Sequence, residues 1–257
     1  MDKVLLITGA SRGIGAATAW LAAQQGYAVA VNYSVHAAAA DALVQRIRAG
    51  GGTALAVQAD VAHEDQILAM FEAVDARLGP LAALVNNAGV VDLPARVDGL
   101  SAQRLKRMFD INVIGSMLCA REAVRRMSTR HGGAHPLGPG WGQGGAIVNL
   151  SSAAARLGSP GQYVDYAASK GAIDTFTLGL AKEVAAEGIR VNAVRPGIVD
   201  TEIHASGGLP DRARELAPQV PMQRAGTAEE VARAILWLLG PEAGYTTGAL
   251  LDVAGGR

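Results

Sequence analysis

The chain has 257 residues, half of them apolar and 18% charged, which excludes a disordered, collagenous or coiled-coil protein and predicts a large packed core. Twenty-three basic residues offset twenty-three acidic ones, so no net field gathers nucleic acid or an anionic membrane, and neither is expected as a partner. Cys119 is the single cysteine, which forbids an internal disulfide or a thiolate metal cluster and fits a reducing compartment. The opening MDKVLLITG is shorter than a secretory core and no run approaches the ~18 apolar residues of a membrane helix, so a cytoplasmic protein is expected.

Short β-branched and aliphatic runs alternate with stretches of helical periodicity. VLLIT (4–8) predicts a first strand, a helix opens at Ile14, and AVAVNY (28–33) predicts a second strand, together a βαβ unit. The rhythm repeats at ALAVQ (54–58), LAALVN (81–86), AIVNLS (146–151), IRVNAV (189–194) and ALLDV (249–253). Apolar strands between amphipathic helices call for a parallel sheet covered on both faces. The expected fold is α/β, a doubly wound Rossmann fold with seven mainly parallel strands and helices on both faces, formed by residues 1–257 as one domain. Ser101 and Thr227, the latter with Glu230 three residues on, are expected helix N-caps; Gly26 and Gly79 follow helix ends. HGGAHPLGPGWGQGG (131–145) reads as a long mobile loop, and 201–222 as a lid beyond the sixth strand. His131 and His135 lie in that loop without an acidic or cysteine companion, so no metal is expected.

The first strand runs into TGASRGIG (8–15), where Gly9, Gly13 and Gly15 open the first helix. Amides at such a helix start face a pyrophosphate, and the missing side chains let phosphates approach. The spacing is G-x-x-x-G-x-G rather than the commoner G-x-G-x-x-G, and a purely structural turn is the alternative. In YAASK, Tyr166 and Lys170 stand four apart on one helix face, and an ammonium beside a phenol favours the phenolate, a useful general acid/base.

Taken in order, TGASRGIG, NNAG (86–89), Asn112, Ser151-Ser152, YAASK and Pro196-Gly197 resemble the classical short-chain dehydrogenase/reductase family over essentially the whole chain. The resemblance points to members akin to 3-oxoacyl-carrier-protein reductases or glucose dehydrogenases. It implies hydride transfer between a nicotinamide cofactor and a carbonyl or alcohol, with Asn112, Ser152, Tyr166 and Lys170 as the catalytic set. Tyr166 would exchange a proton with the substrate oxygen, and Lys170 would lower the phenol's pKa and hold ribose hydroxyls. Ser152, the second serine of its pair, would hydrogen-bond the substrate oxygen, and Asn112 would anchor a water. Tyr163 lacks a lysine four residues on, so it lines the substrate pocket or packs in the loop.

The same resemblance assigns the cofactor to Gly9, Ser11, Arg12, Gly13, Ile14 and Gly15, with Asp60 and Val61 at the adenine and Asn87, Ala88 and Gly89 beneath the ribose. Tyr166 and Lys170 contribute, and Pro196, Gly197, Val199 and Thr201 complete the set near the carboxamide. Tyr33 and Ser34 stand where an NAD enzyme usually carries an acid, while Arg12 supplies positive charge and Ser34 a hydroxyl, so NADP (NADPH) is expected, with NAD as the alternative. Asn86 is expected to brace the sheet crevice. The substrate pocket is expected between 153–165 and the lid, with Leu157, Ile203, Leu209, Leu216 and Met222 beside His204, Arg212 and Arg214. Carrier-bound 3-oxoacyl chains, sugars, polyols and small ketones all stay open. Arg125, Arg126 and Arg130 offer a docking patch for an acidic acyl carrier protein, against which Glu187 replaces the basic residue such reductases often carry. The family resemblance implies a homotetramer. The rival reading is a catalytically silent dinucleotide-binding protein.

Overall fold

The computed structural model describes residues 3–131, 137–138 and 140–257. Its sheet is wholly parallel, with strands β1 (Lys3–Ile7), β2 (Tyr27–Tyr33), β3 (Ala54–Gln58), β4 (Leu81–Asn86), β5 (Gly145–Leu150), β6 (Ile189–Pro196) and β7 (Leu250–Val253) in the order β3-β2-β1-β4-β5-β6-β7. The seven strands lie within a residue or two of the seven apolar runs.

Alternation along β1 explains the two layers. Leu5 and Ile7 face a core shared with helices α1 (Gly13–Gln24) and α2 (Ala37–Ala49), while Val4 and Leu6 face one shared with α3 (Glu64–Leu78). On that second face the chain runs from α4 (Ala102–Phe109) through a π-helical turn, Asp110–Gly115, into α5 (Ser116–Met127). A four-residue helix α6 (Ala154–Leu157) precedes the long α7 (Val164–Val184). The lid consists of two short helices, α8 (Ile203–Ser206) and α9 (Arg212–Leu216), and α10 (Ala228–Leu239) closes the first face. The inner strands are covered on both faces, as their apolar sequences require, whereas the edge strand β7 leaves Asp252 exposed.

The expected caps are formed. Ser101 accepts from Arg104 N at 3.2 Å, Thr227 and Glu230 make a reciprocal capping box, and Gly79 ends α3 at φ +96°. Part of the expected mobile loop 131–145, residues 132–136 and 139, lies outside the described residues; near its end, Gly144 N bonds Met127 O at 2.8 Å. His135 and the His131 side chain are outside them too, and among the described residues no group of three potential metal ligands occurs. Nor is any described helix long and apolar enough to cross a membrane.

Candidate active site

The chain leaves β1 for β2 on one side and later places β4 on the other, so a crevice opens at the carboxyl ends of β1 and β4. There the structure has a cleft of about 820 Å³. Gly9, Ser11, Arg12, Gly13, Ile14, Ser34, Asp60, Val61, Asn87, Ala88, Gly89, Pro196, Gly197, Val199 and Thr201 all line it, together with Ser152, Tyr166 and Lys170. Gly15 and Asn112 lie outside its wall, the first under the floor and the second buried.

The floor is held by side-chain amides and one hydroxyl. Thr8 Oγ1 accepts from Asn87 N and Ala88 N, both at 3.0 Å, while Asn87 Nδ2 donates to the carbonyls of Thr8 (2.8 Å) and Gly9 (2.9 Å). From the other side Asn32 Oδ1 accepts from Gly9 N at 3.0 Å and its amide donates to Ala59 O at 3.0 Å. Glycine is required here for two reasons. Gly9 has φ +62° and a Cβ on it would stand 2.9 Å from Ala88 Cα; a Cβ on Gly15 would meet Asn87 Nδ2 at 2.5 Å. At the start of α1, Arg12 makes no side-chain cap and the first turn carries no acid, so the amides and the dipole of this helix face the cleft uncompensated. That cradle fits a pyrophosphate.

The adenine side is built by Asp60, whose N donates to Gln66 Oε1 at 2.8 Å and whose Oδ1 accepts from Ala62 N at 3.0 Å. Tyr33, Ser34, Val35 and His36 follow β2 along the cleft without an acid among them. Arg12 donates to Ser206 Oγ of the lid at 3.0 Å. Asn86 braces the crevice as expected: its amide donates to Ser116 O (3.0 Å) and to Asn149 Oδ1 (2.9 Å), and Asn149 continues to Thr177 (2.9 Å).

At the other end of the cleft the pair of serines divides its work. Ser151 is buried and donates to Lys170 O at 3.2 Å, holding α7 to β5, whereas Ser152 stands in the cleft beside the Tyr166 phenol. Burial raises the Tyr166 pKa above the ordinary phenol value, with the Ser152 hydroxyl opposing it. The expected depression by Lys170 is not found. The Lys170 ammonium lies 5.6 Å from the Tyr166 ring centre and donates to Leu150 O at 2.7 Å, and burial lowers its own pKa to about 8, against the pull of Asp174.

Asn112 sits in the π turn, with Oδ1 accepting from Val90 N (2.8 Å) and the amide donating to Val90 O (3.0 Å) and Ser169 Oγ (3.1 Å). Its side chain is a clamp between the π turn, the segment after β4, and α7. Tyr163 is buried at the start of α7 and lines the cleft, with Arg212 over its ring at 5.0 Å.

The substrate side departs from expectation in two places. Leu157, Ile203 and Arg212 line the cleft, but Leu209, Leu216, Met222 and Arg214 do not; Leu209 and Met222 lie on connecting segments outside α8 and α9. Arg214 pairs instead with Asp211 at 3.0 Å, and the His204 side chain is outside the described residues. The basic patch is divided: Arg126 is buried between Glu122 and Asp75, both at 2.9 Å, while Arg125 pairs with Glu122 at 2.8 Å and stays largely exposed. Glu187 takes a hydrogen bond from Ser128 and faces Arg130 at 3.9 Å. Sequence reasoning passed over Asn32 and Gln66; the signal for Asn32 was a lone amide inside the apolar run AVAVNY.

Comparison with known proteins agrees with this geometry. Residues 9–257 match a family model described as enoyl-(acyl carrier protein) reductase. The chain is 56% identical over 254 residues, 99% of each chain, to the uncharacterized oxidoreductase YgfF of Escherichia coli. It is 36% identical over 259 residues to the 3-oxoacyl-[acyl-carrier-protein] reductase FabG of Staphylococcus aureus, covering 100% of this chain and 98% of that one. Among solved structures, a blue fluorescent protein from a metagenomic library, in complex with NADPH, superposes with a TM-score of 0.87 at 34% identity, covering 99% of this chain and 97% of that one. The glycine turn, the Ser152–Tyr166–Lys170 group and these matches together make the chain an oxidoreductase of the short-chain dehydrogenase/reductase family.

Proposed function

We propose that the protein transfers a hydride between NADP(H) and a carbonyl or alcohol substrate, with Tyr166 as general acid/base. The observation that carries this is the placement of Ser152, Tyr166 and Lys170 in the same cleft as the uncapped start of α1. When bound, the nicotinamide supplies or takes the hydride. Tyr166, its pKa raised by burial, keeps its proton at neutral pH, the form that can donate to a carbonyl oxygen. Ser152 would hydrogen-bond the same oxygen where negative charge gathers. Lys170, cationic up to about pH 8, would hold ribose hydroxyls and replace the proton on Tyr166, while Asn112 fixes the strand of backbone at Val90 against α7.

The preference for NADPH over NADH rests on Arg12 and Ser34 and on the lack of an acid from Tyr33 to His36. The structural relative that binds NADPH supports it. We read the 257 residues as one cytoplasmic domain that assembles as a homotetramer. A small-molecule substrate suits the cleft, and of the three arginines offered to an acidic carrier Arg126 is taken up by Glu122 and Asp75 while Arg125 and Arg130 stay exposed.

The test follows nicotinamide absorbance with NADPH or NADH over a panel of 3-oxoacyl thioesters, diketones, ketoses and oxo acids. Turnover faster with NADPH is expected, and Arg12→Ala should narrow the preference about tenfold. NADPH binding without turnover of any panel member would leave a silent dinucleotide-binding protein; no dinucleotide binding would sink both readings.

A further inference from the structure

We propose that the substrate carries a carboxylate and that Arg212 binds it. The proposal rests on the oxidoreductase reading above and names the substrate class of the same site.

Arg212 opens the lid helix α9 and lines the cleft, half-buried, with its guanidinium 5.0 Å from the centre of the Tyr163 ring. One Nη donates to Gln162 Oε1 at 2.8 Å, a neutral acceptor, and no carboxylate among the described residues pairs with it. Its neighbour behaves differently. Arg104 is held by two hydrogen bonds to Asp165 (2.7 and 3.2 Å), whose side chain is fully covered, and Asp92, the acid on the same wall, interacts with Arg104. One arginine is therefore neutralised inside the protein while the other brings a charge to the cleft with a counter-ion still to come. A cation at the cleft wall with no anion of its own is available to take one from a ligand. Stacking on Tyr163 fixes the plane of the guanidinium and leaves four of its five N–H donors, a fork that matches a planar carboxylate.

Position makes the charge useful to the chemistry. Tyr163 precedes Tyr166 by three residues and its carbonyl accepts from Ala167 N at 2.9 Å, which closes the first turn of α7. Tyr163 and Tyr166 both line the cleft, so the guanidinium on Tyr163 and the Tyr166 phenol face the same space. A carboxylate on Arg212 would therefore stand a few bonds from an oxygen held by Tyr166, with Leu157 and Ile203 covering the apolar carbons between. The geometry points to a compact oxo acid or hydroxy acid.

The experiment compares 3-oxobutanoate, 4-oxopentanoate and 4-oxocyclohexanecarboxylate with their methyl esters, as NADPH-dependent kcat/KM, in the native protein and in Arg212→Gln and Arg212→Lys. At least one acid should exceed its ester by about 10- to 100-fold, the range of a hydrogen bond to a charged group. That ratio should fall to about one in Arg212→Gln and be partly kept in Arg212→Lys. A merely structural Arg212 would lower acid and ester together and leave the ratio unchanged, which overturns the proposal. In parallel, calorimetry with unreactive cyclohexanecarboxylate and its amide should show Arg212-dependent binding of the acid alone. Turnover of esters as fast as acids would overturn carboxylate recognition and leave the oxidoreductase standing. Silence with every substrate, without binding of cyclohexanecarboxylate, would overturn the proposal; absent NADPH binding besides would remove the wider reading too.

Discussion

The two walls of the cleft are built on opposite plans. The dinucleotide floor is fixed by two side-chain amides and a hydroxyl: Asn32, Asn87 and Thr8 tie together the backbone that follows β1, β3 and β4, and Gly9 and Gly15 are packed too closely to admit a methyl group. The lid from Thr201 to Met222 has two helices of four and five residues, and its polar ties to the rest are sparse contacts such as Arg12–Ser206 and Arg212–Gln162. A shape set by many mutually dependent buried bonds opens only at high cost, whereas one set by a few exposed bonds can rearrange around a ligand. The difference separates what is common to any dinucleotide from what is particular to one substrate.

The seam between the walls is Tyr166, and replacing it makes the sharpest cut. Tyr166→Phe should lower turnover by roughly 10²- to 10⁴-fold, the usual worth of a general acid, while NADPH affinity measured by fluorescence stays within a few-fold. Turnover that survives this change would unseat Tyr166.

Lys170 tests the buried side by pH. Its pKa in the fold is about 8, below the ordinary lysine value, so between pH 8 and about 10 the unfolded chain binds the proton that the native state has lost. Native stability relative to Lys170→Met should therefore rise with pH through this window and level off below pH 8, by about 3 kcal/mol at most. Urea unfolding of both proteins across the window measures it, and a flat difference would contradict the burial argument. Gly15→Ala comes next. A floor without slack must shift Asn87, so unfolding free energy should drop by about 1–3 kcal/mol and NADPH affinity about tenfold; an unchanged affinity would mean the floor yields. The smallest effect belongs to the lid: Ser206→Ala removes an exposed acceptor and should change stability by less than about 0.5 kcal/mol in the same urea assay. A loss above 1 kcal/mol would show that the lid is tied as firmly as the floor.

The contrast also explains what could be read from residues alone. All seven strands announced themselves because a strand buried on both faces has little choice but a continuous apolar run, as in VLLIT and AIVNLS. Glycine turns and caps were equally plain, since Gly9 and Thr227 perform local tasks that local spacing encodes. Long-range partners were not. Arg126 looks like one of a basic trio in sequence, yet Asp75, fifty-one residues away, takes it out of the surface. Leu209 and Met222 have the composition of pocket residues, but they lie on connecting segments outside the two short lid helices, where no periodicity tells which way a side chain faces. The phenol of Tyr166 shows the same limit, because its pKa is set by depth in the fold more than by the lysine four residues on.

The π turn at Asp110–Gly115 holds one residue more than ordinary α-helical winding needs, and the extra residue leaves the faces of α4 and α5 in phase with one another. A one-residue deletion here should therefore spare the packing of α5, keeping Cys119, Ala120 and Ala123 in the core, and cost the clamp that Asn112 makes to Val90 and Ser169. The turn acts as an inserted residue that aims one side chain without disturbing the helix on either side of it.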